Sequence, residues 1–316
     1  MTPPETVAAD RRRTQRLTAL VFVQVFFGLF PVLVKLAQDG GGGFSTHALA
    51  TWRIGVGSLV LGAVALVRHG RACLPPRSDW ARLAVCSVLG IAANQLFALE
   101  GAARTSATQA GILFTLIPVF TYAVAASVGQ ERFELRRSAG IGIALAGAVL
   151  LTWTRGRGEE VAPDPVGGSV LLVLNSLVYA IYLVLARKLL DHLPTLVVLA
   201  WVFALSLWVP AGFAALGSVE LWPSAVTREA WIGLVGLLVF PTVLAYLLNT
   251  YALARVSAST TAVFIYLQPL VSVGTAVLVL GERPGPTALL AALLLFAGIG
   301  LVVIRRRDRP SSVASG

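Results

Sequence analysis

The sequence predicts an all-α integral membrane protein with ten transmembrane helices, arranged as two inverted five-helix repeats (5+5). Three observations predict this fold class. The chain is 57% hydrophobic, with a mean hydropathy of +0.81, and its 25 basic and 15 acidic residues cannot cover the surface of a 316-residue soluble protein. Apolar runs of about 20 residues, the length that spans a bilayer, recur along the whole chain. The two halves also share residues at a constant spacing.

The apolar runs divide the chain into ten predicted spans, with Gly, Pro and charged residues in the gaps. Continuous runs indicate helices, because the strands of a membrane β-barrel are about ten residues long and alternate in polarity. The first run is longer than the roughly 7–15 apolar residues of a secretory signal, so it predicts a membrane helix. The predicted spans are Leu17–Ala37, Ala48–Val67, Trp80–Leu99, Thr108–Val128, Ser138–Trp153, Gly167–Ala186, Leu196–Leu216, Ala230–Thr250, Ala258–Leu280 and Pro286–Ile304.

The longest gap between spans lies in the middle of the chain and carries charges, prolines and glycines. It predicts a division into two repeats with short tails. We expect a basic cytoplasmic N-terminal tail at 1–16, a first five-helix repeat at 17–154, a periplasmic linker at 155–166, a second five-helix repeat at 167–304 and a cytoplasmic C-terminal tail at 305–316.

The basic residues of the loops predict the orientation. One side of the membrane receives 17 Arg and Lys and the other receives five. Because cytoplasmic loops carry the excess of positive charge, both termini are expected in the cytoplasm, which requires an even number of spans. The formal charge of +10 follows from these clusters, so nucleic acid is not an expected partner. The predicted location is a bacterial inner (plasma) membrane, crossed several times.

An internal repeat with a spacing of 151 residues is the most specific feature of the sequence. The matched residues are Arg104 and Arg255, Pro118 and Pro269, and the pairs Glu131–Arg132 and Glu282–Arg283. At a spacing of 152, Phe27, Gly28 and Lys35 correspond to Tyr179, Ala180 and Arg187. Each half has an odd number of spans, so the second half enters the membrane upside down. Inverted repeats of this kind build one substrate site near the midplane of secondary transporters.

These features resemble the drug/metabolite transporter superfamily, specifically its EamA-like ten-helix exporters. The resemblance rests on the 5+5 layout, Arg53 in the second span, the prolines of spans four and nine, and the helix-terminal Glu131 and Glu282. It covers the chain from about Leu17 to Ile304. One departure is Phe27-Gly28, where these exporters often carry Trp-Gly. The resemblance implies export of small metabolites such as amino acids, their derivatives, nucleosides or drugs.

Pro118 and Pro269 are the candidate hinge residues. Each lies near the middle of its span, where a proline removes a helix hydrogen bond and clashes with the carbonyl four residues back. In lipid the freed carbonyl needs a partner from protein or from water in a cavity. The two prolines are either tolerated kinks or hinges that line the site.

Polar side chains inside apolar spans form the candidate substrate site. Amides in hydrocarbon seek partners, either across helices or in a polar cavity. Their distribution over several spans favours a central cavity, and tyrosines add a surface suited to a small amphipathic metabolite. The candidate substrate-binding residues are Asn94, Gln95, Asn175, Tyr179, Tyr182, Tyr246, Asn249, Tyr266, Gln268 and Lys35.

Lys35 and Arg53 are the ionisable residues set deepest in the spans. One interpretation is that they reach the interface or pair locally, with Asp39 or Glu100 as partners. The alternative is that Lys35 meets a substrate carboxylate or gates the outer mouth.

The sequence therefore predicts a secondary transporter that exports small metabolites, foremost amino acids or their derivatives, by alternating access around a central cavity. A flippase for lipid-linked intermediates and a multidrug exporter are the alternatives, although no carboxylate lies at a span centre to exchange protons for a cationic drug. No metal-ligand or nucleotide-binding motif is found, so an enzyme, a metal and a cofactor are not expected. The expected partners are the small-molecule substrate and the lipid bilayer. Small residues on span five leave a homodimer open.

Overall fold

The computed structural model describes residues 4–38, 42–153, 163–217, 220–253 and 267–303. Within these residues every regular element is helical. We number the main helices in chain order: α1 (Leu17–Ala37), α2 (Thr46–Cys73), α3 (Arg77–Arg104), α4 (Ala107–Ser127), α5 (Leu135–Trp153), α6 (Pro165–Leu190), α7 (Thr195–Ala215), α8 (Arg228–Tyr251), α9 (Leu267–Leu280) and α10 (Pro286–Val303).

The helices make a bundle with an apolar exterior. Among the described residues, seven helices are long and apolar enough to cross a membrane, namely α1 to α4 and α6 to α8. α9 and α10 are shorter apolar helices, and α5 has 19 residues. Leu59, Leu278 and Leu293 are 72%, 85% and 66% exposed, which suits contact with lipid and not with water. The chain is therefore a multi-pass membrane protein.

The helix ends follow local capping more closely than hydropathy. The first predicted span, Leu17–Ala37, matches α1, which is the apolar part of a helix that already begins at Pro4 and is interrupted at Leu29. The second was expected to start at Ala48, but the Ser45 side chain accepts a hydrogen bond from the Ala48 amide and the helix begins earlier. The first half of the ninth predicted span lies outside the described residues.

α5 and α10 pack side by side along small residues. A Cβ added at Gly298 would lie 2.5 Å from the carbonyl oxygen of Gly140 and 2.5 Å from the amide nitrogen of Ala144. Gly147 approaches the Ala291 carbonyl in the same way, at 2.9 Å. Small residues allow this close backbone approach in membranes. The small-residue face of span five, which left a homodimer open, is therefore occupied within the chain.

The two ends of the bundle differ in their contacts. One end, which we call the basic end, carries the loops at 74–76, 128–134 and 191–194, and there His192 lies 2.8 Å from the carboxylate of Asp79 at the start of α3. At the opposite end, Glu282 accepts hydrogen bonds from the amides of Ala107 and Thr108 at 2.7 and 2.9 Å. These amides start α4, so the carboxylate caps that helix and ties it to α9.

The contact between α5 and α10 predicts a difference between two glycines. Gly298→Leu forces the helices apart, and we expect a loss of about 1–3 kcal/mol of stability from overpacking. Gly142→Leu is the matched control, since a Cβ there meets no atom within 4 Å and the gain in helix propensity is the same. Unfolding in mixed micelles with rising SDS measures both. Equal stability of the two variants would contradict the packing described.

Candidate functional site

A cavity of about 250 Å³ lies in the middle of the bundle. Its wall is contributed by α1, α2, α3, α4, α6, α8 and α9, so most of the described helices meet there. Amide, tyrosine and phenylalanine side chains surround one guanidinium. The lining residues are Val23, Gln24, Phe27, Phe30, Arg53, Asn94, Gln95, Ala98, Phe114, Ile117, Pro118, Asn175, Tyr179, Leu183, Tyr246, Asn249 and Gln268.

Arg53 of α2 is the charged residue of this wall. It is 4% exposed, and its guanidinium carbon lies 4.7 Å from the centre of the Phe30 ring. Its Nε donates to the hydroxyl of Thr242 at 2.9 Å, and its Nη1 donates to the side-chain oxygen of Gln95. Among the described residues, these bonds use two of the five N–H groups of the side chain. The other three N–H groups, one on Nη1 and two on Nη2, have no acceptor among the described residues and remain for a ligand in the cavity.

A break in α8 supplies the first of these partners. Leu238–Leu244 is a π-helical segment around Pro241, which has no N–H for the carbonyl of Leu237. The hydroxyl of Thr242 donates to that carbonyl at 2.7 Å and accepts from Arg53. The Thr242 hydroxyl thus satisfies the carbonyl that Pro241 leaves without a donor, and it also fixes the Arg53 guanidinium.

A second π-helical segment, Val88–Ala93, interrupts α3 just before Asn94 and Gln95. It occupies the position equivalent to the break in α8, because the internal repeat relates the two with a spacing of 151. Gln95 and its equivalent Tyr246 both follow these segments and both line the cavity. Single-turn π segments inside α-helices occur often at functional sites.

Two further contacts tie the halves across the cavity. The amide of Gln268 donates to the side-chain oxygen of Gln24 at 2.6 Å. Asn175 donates to the backbone carbonyl of Asn94 at 2.8 Å.

α4 also changes conformation at the cavity. It passes from α-helix to a 3-10 turn at Phe114–Leu116 and returns to α-helix next to Pro118.

Most of the candidate residues from the sequence meet in this cavity. Its wall contains Asn94, Gln95, Asn175, Tyr179, Tyr246, Asn249, Gln268 and Pro118. Tyr266 lies outside the described residues. The other three candidates, Tyr182, Lys35 and Pro269, are not in the wall.

The structure corrects the placement of Tyr182 and Lys35. The Tyr182 ring packs against Gly90, where an added Cβ would lie 2.6 Å from it, so this tyrosine belongs to the core. Lys35 lies at the opposite end and donates to the carbonyl of Ala103 at 3.0 Å. Pro269 is buried in the first described turn of α9.

Arg53 and Thr242 are the site residues that sequence reasoning missed. Arg53 was expected to pair with Asp39 or Glu100, but Glu100 bonds to Thr46 and Arg104 instead. Asp39 lies outside the described residues. The signals available were an arginine inside a span and a Pro-Thr pair, Pro241-Thr242, inside another.

The wall is built from equivalent positions of the two halves. Five pairs at the repeat spacing line it: Val23 and Asn175, Phe27 and Tyr179, Gln95 and Tyr246, Ala98 and Asn249, and Ile117 and Gln268. In four of the five, an apolar residue of the first half corresponds to a polar residue of the second. One lining thus carries both an apolar and a polar surface.

Comparison with known proteins identifies the family. The EamA-like transporter family matches residues 17–153 and again residues 166–304. The chain belongs to this family. It is therefore a transporter of the drug/metabolite transporter superfamily, as the resemblance in the sequence predicted.

Relatives and a solved structure agree with this membership. An uncharacterized transporter of Archaeoglobus fulgidus is 28% identical over 82% of this chain and 88% of its own length. A probable terminal-alkyne amino-acid exporter of Streptantibioticus cattleyicolor is 27% identical over 92% of this chain and 94% of its own length. A crystal structure with 20% sequence identity aligns with a TM-score of 0.60 over 91% of this chain and 96% of that one, so the fold is shared.

The EamA-like transporter has a second cavity, of about 330 Å³, beside the first. Ile117, Pro118 and Leu183 line both cavities. The second continues to the side chains of the basic end, including Glu131 and Arg187. In the part of the transporter that the structure describes, three or more His, Cys, Asp or Glu never stand together as a metal site would require.

The double role of Thr242 predicts that it stabilises this transporter. Thr242→Val leaves the Leu237 carbonyl and the Arg53 Nε without their partner, and we expect a loss of about 1–3 kcal/mol. Thr250→Val is the control, because among the described residues that hydroxyl bonds to Leu247 of its own helix alone, at 2.7 Å. Thermal unfolding in detergent compares them. A Thr242→Val protein as stable as the control would argue against the bridge.

Proposed function

We propose that this transporter is a secondary carrier of a bacterial inner membrane that exports amino acids or their derivatives. Substrate binds in the central cavity, and alternating access around it moves the substrate across. The observation that carries the proposal is the Arg53 guanidinium in the cavity wall, whose Nη2 has no acceptor among the described residues.

The chemistry of the Arg53 guanidinium favours a carboxylate as its ligand. Arginine presents N–H groups in a fixed fork that matches the two oxygens of a carboxylate. Phe30 holds one face of the plane, and Thr242 and Gln95 fix its rotation. A charge buried among apolar helices costs free energy until an anion pairs with it, so binding a carboxylate offsets that cost.

The remainder of the wall suits the other parts of an amino acid. Amide oxygens such as those of Asn94 and Asn249 accept hydrogen bonds from an ammonium group. The aromatic rings of Phe27 and Tyr179 offer an apolar surface for a side chain. The volume of about 250 Å³ lies below the roughly 300–1,000 Å³ of sites for drug-sized ligands, which favours a small metabolite over a multidrug substrate.

The amino-acid exporter among the relatives supports this substrate class. It matches nearly the full length of the chain at 27% identity. Identity at this level is compatible with a changed specificity, so the argument for a carboxylate rests on Arg53.

We propose further that the ten helices are two inverted repeats of five, with both termini in the cytoplasm. The separate family matches to 17–153 and 166–304 support a repeat. The π segments at equivalent positions of α3 and α8, and the equivalent pairs in the cavity wall, support it independently. The basic end then faces the cytoplasm, and the second cavity connects the site to that side.

Uptake into proteoliposomes tests the substrate class and the role of Arg53. Arg53→Gln should raise the KM for the transported amino acid about tenfold or more, because a charge-assisted hydrogen bond contributes about 1.5–3 kcal/mol. The matching amine without a carboxylate should not respond to the substitution. Arg82→Gln is the control, since Arg82 also lies in a span but outside the cavity wall.

Two results would overturn this function. Wild-type protein that takes up none of a panel of radiolabelled amino acids would exclude the substrate class. Overexpression that alters lipid-linked glycans without protecting cells from toxic amino-acid analogues would favour a flippase. Repeating the uptake with and without a pH gradient decides proton coupling, because uptake that ignores the gradient eliminates obligatory coupling.

A further inference from the structure

The second cavity carries charges of both signs on opposing elements. Arg187 lies near the C-terminal end of α6, and Glu131 lies in the loop between α4 and α5. Both line the cavity of about 330 Å³. The cavity thus offers a cation and a carboxylate to one small molecule.

The carboxylate is held in place by a buried partner. The Arg137 side chain is 8% exposed, and its guanidinium lies 5.0 Å from the centre of the Tyr122 ring. Its Nη1 lies 3.3 Å from Glu131, and its Nε lies 3.2 Å from Glu134. Arg137 is therefore committed to two carboxylates. Glu131 keeps further acceptor positions toward the cavity, since its side chain is 32% exposed.

Arg187, in contrast to Arg137, forms no salt bridge with the described residues. Arg187 is exposed at the cavity wall, and no carboxylate of the described residues lies within 4.0 Å of its guanidinium. Arginine binds carboxylates through its fork, so a ligand carboxylate is a fitting partner.

The internal repeat relates these two residues to a charged pair at the opposite end of the bundle. Arg187 is equivalent to Lys35, and Glu131 is equivalent to Glu282. At the opposite end, Lys35 donates to the Ala103 carbonyl and Glu282 accepts from the first amides of α4. The same two charges that fasten one end therefore face an open cavity at the other.

We propose that the second cavity is a loading site that binds a zwitterionic amino acid, with Arg187 taking its carboxylate and Glu131 its ammonium group. This inference rests on the proposed function and adds a site ahead of the central cavity. The substrate then passes Ile117 and Pro118, which line both cavities, and reaches Arg53.

Transport into inverted membrane vesicles, whose basic end faces the medium, tests the loading site. Arg187→Gln and Glu131→Gln should each raise KM at least fivefold and leave the maximal rate within twofold. Lys188→Gln and Asp191→Asn are the controls. They remove a charge of each sign beside Arg187, at exposed positions outside the cavity wall, and should keep the wild-type KM.

The outcomes separate the two proposals. Wild-type vesicles that accumulate no amino acid overturn the proposed function. Wild-type transport with unchanged KM in both variants overturns the loading site alone, and so does an equal rise of KM in the controls.

A labelling experiment covers the case in which a variant transports too poorly for kinetics. Thr121 lines the second cavity and not the central one. With Cys73 and Cys86 replaced by alanine, Thr121→Cys should react with a charged methanethiosulfonate, and the amino acid should slow that reaction. Adding Arg187→Gln should abolish the protection at the same amino-acid concentration. Protection that survives this change would overturn the loading site.

Discussion

A guanidinium in the interior of a membrane bundle can persist only where the protein supplies acceptors that the lipid lacks. Arg53 finds them because two helices depart from α-helical geometry at its level. Pro241 frees a carbonyl in α8, and Thr242 satisfies that carbonyl while it also accepts from Arg53. The π segment of α3 is followed at once by Gln95, the other partner. Both irregular segments lie beside residues that line the cavity, and the bilayer tolerates such backbone only where protein or a cavity surrounds it.

The symmetry of the chain explains where the cavity lies, and its asymmetry supports the ligand class proposed for it. The first half has its π segment in α3 and the second half has it at the equivalent position of α8. Each half therefore contributes part of the wall of the same cavity. The equivalent pairs then differ in polarity: Phe27 and Ala98 in the first half correspond to Tyr179 and Asn249 in the second. The first half alone adds the cation. Two equivalent halves thus enclose one cavity with a charged and an apolar part, which suits the ligand proposed above.

The sequence predicted the parts of this structure that depend on composition and spacing. Spans such as Leu17–Ala37 follow from the thickness of the bilayer, and the polar wall follows from the cost of leaving Asn175 or Gln268 without partners in lipid. The role of Arg53 could not be predicted, because it depends on the rotation of α2 against α3 and α8. π segments have no periodic signature of their own, so their positions came only from the structure.

Tyr182 also shows that the role of a side chain could not be predicted from the sequence alone. It lies one turn after Tyr179 on α6, and sequence alone treats the two alike. The close approach of Gly90 draws the Tyr182 ring into the core, whereas Tyr179 reaches the cavity. Gly90 on another helix thus determines where the Tyr182 ring lies, and the sequence does not indicate which glycine contacts which tyrosine.

The equivalence of the charged residues at the two ends bears on the proposed loading site. Lys35 and Glu282 bind backbone groups at the opposite end, by hydrogen bonds that a free carboxylate or ammonium group would replace. Under the proposal, Arg187 and Glu131 cannot hold a zwitterion and make such backbone contacts at the same time. A zwitterion bound between them would therefore oppose closure of the basic end until it moves on toward Arg53.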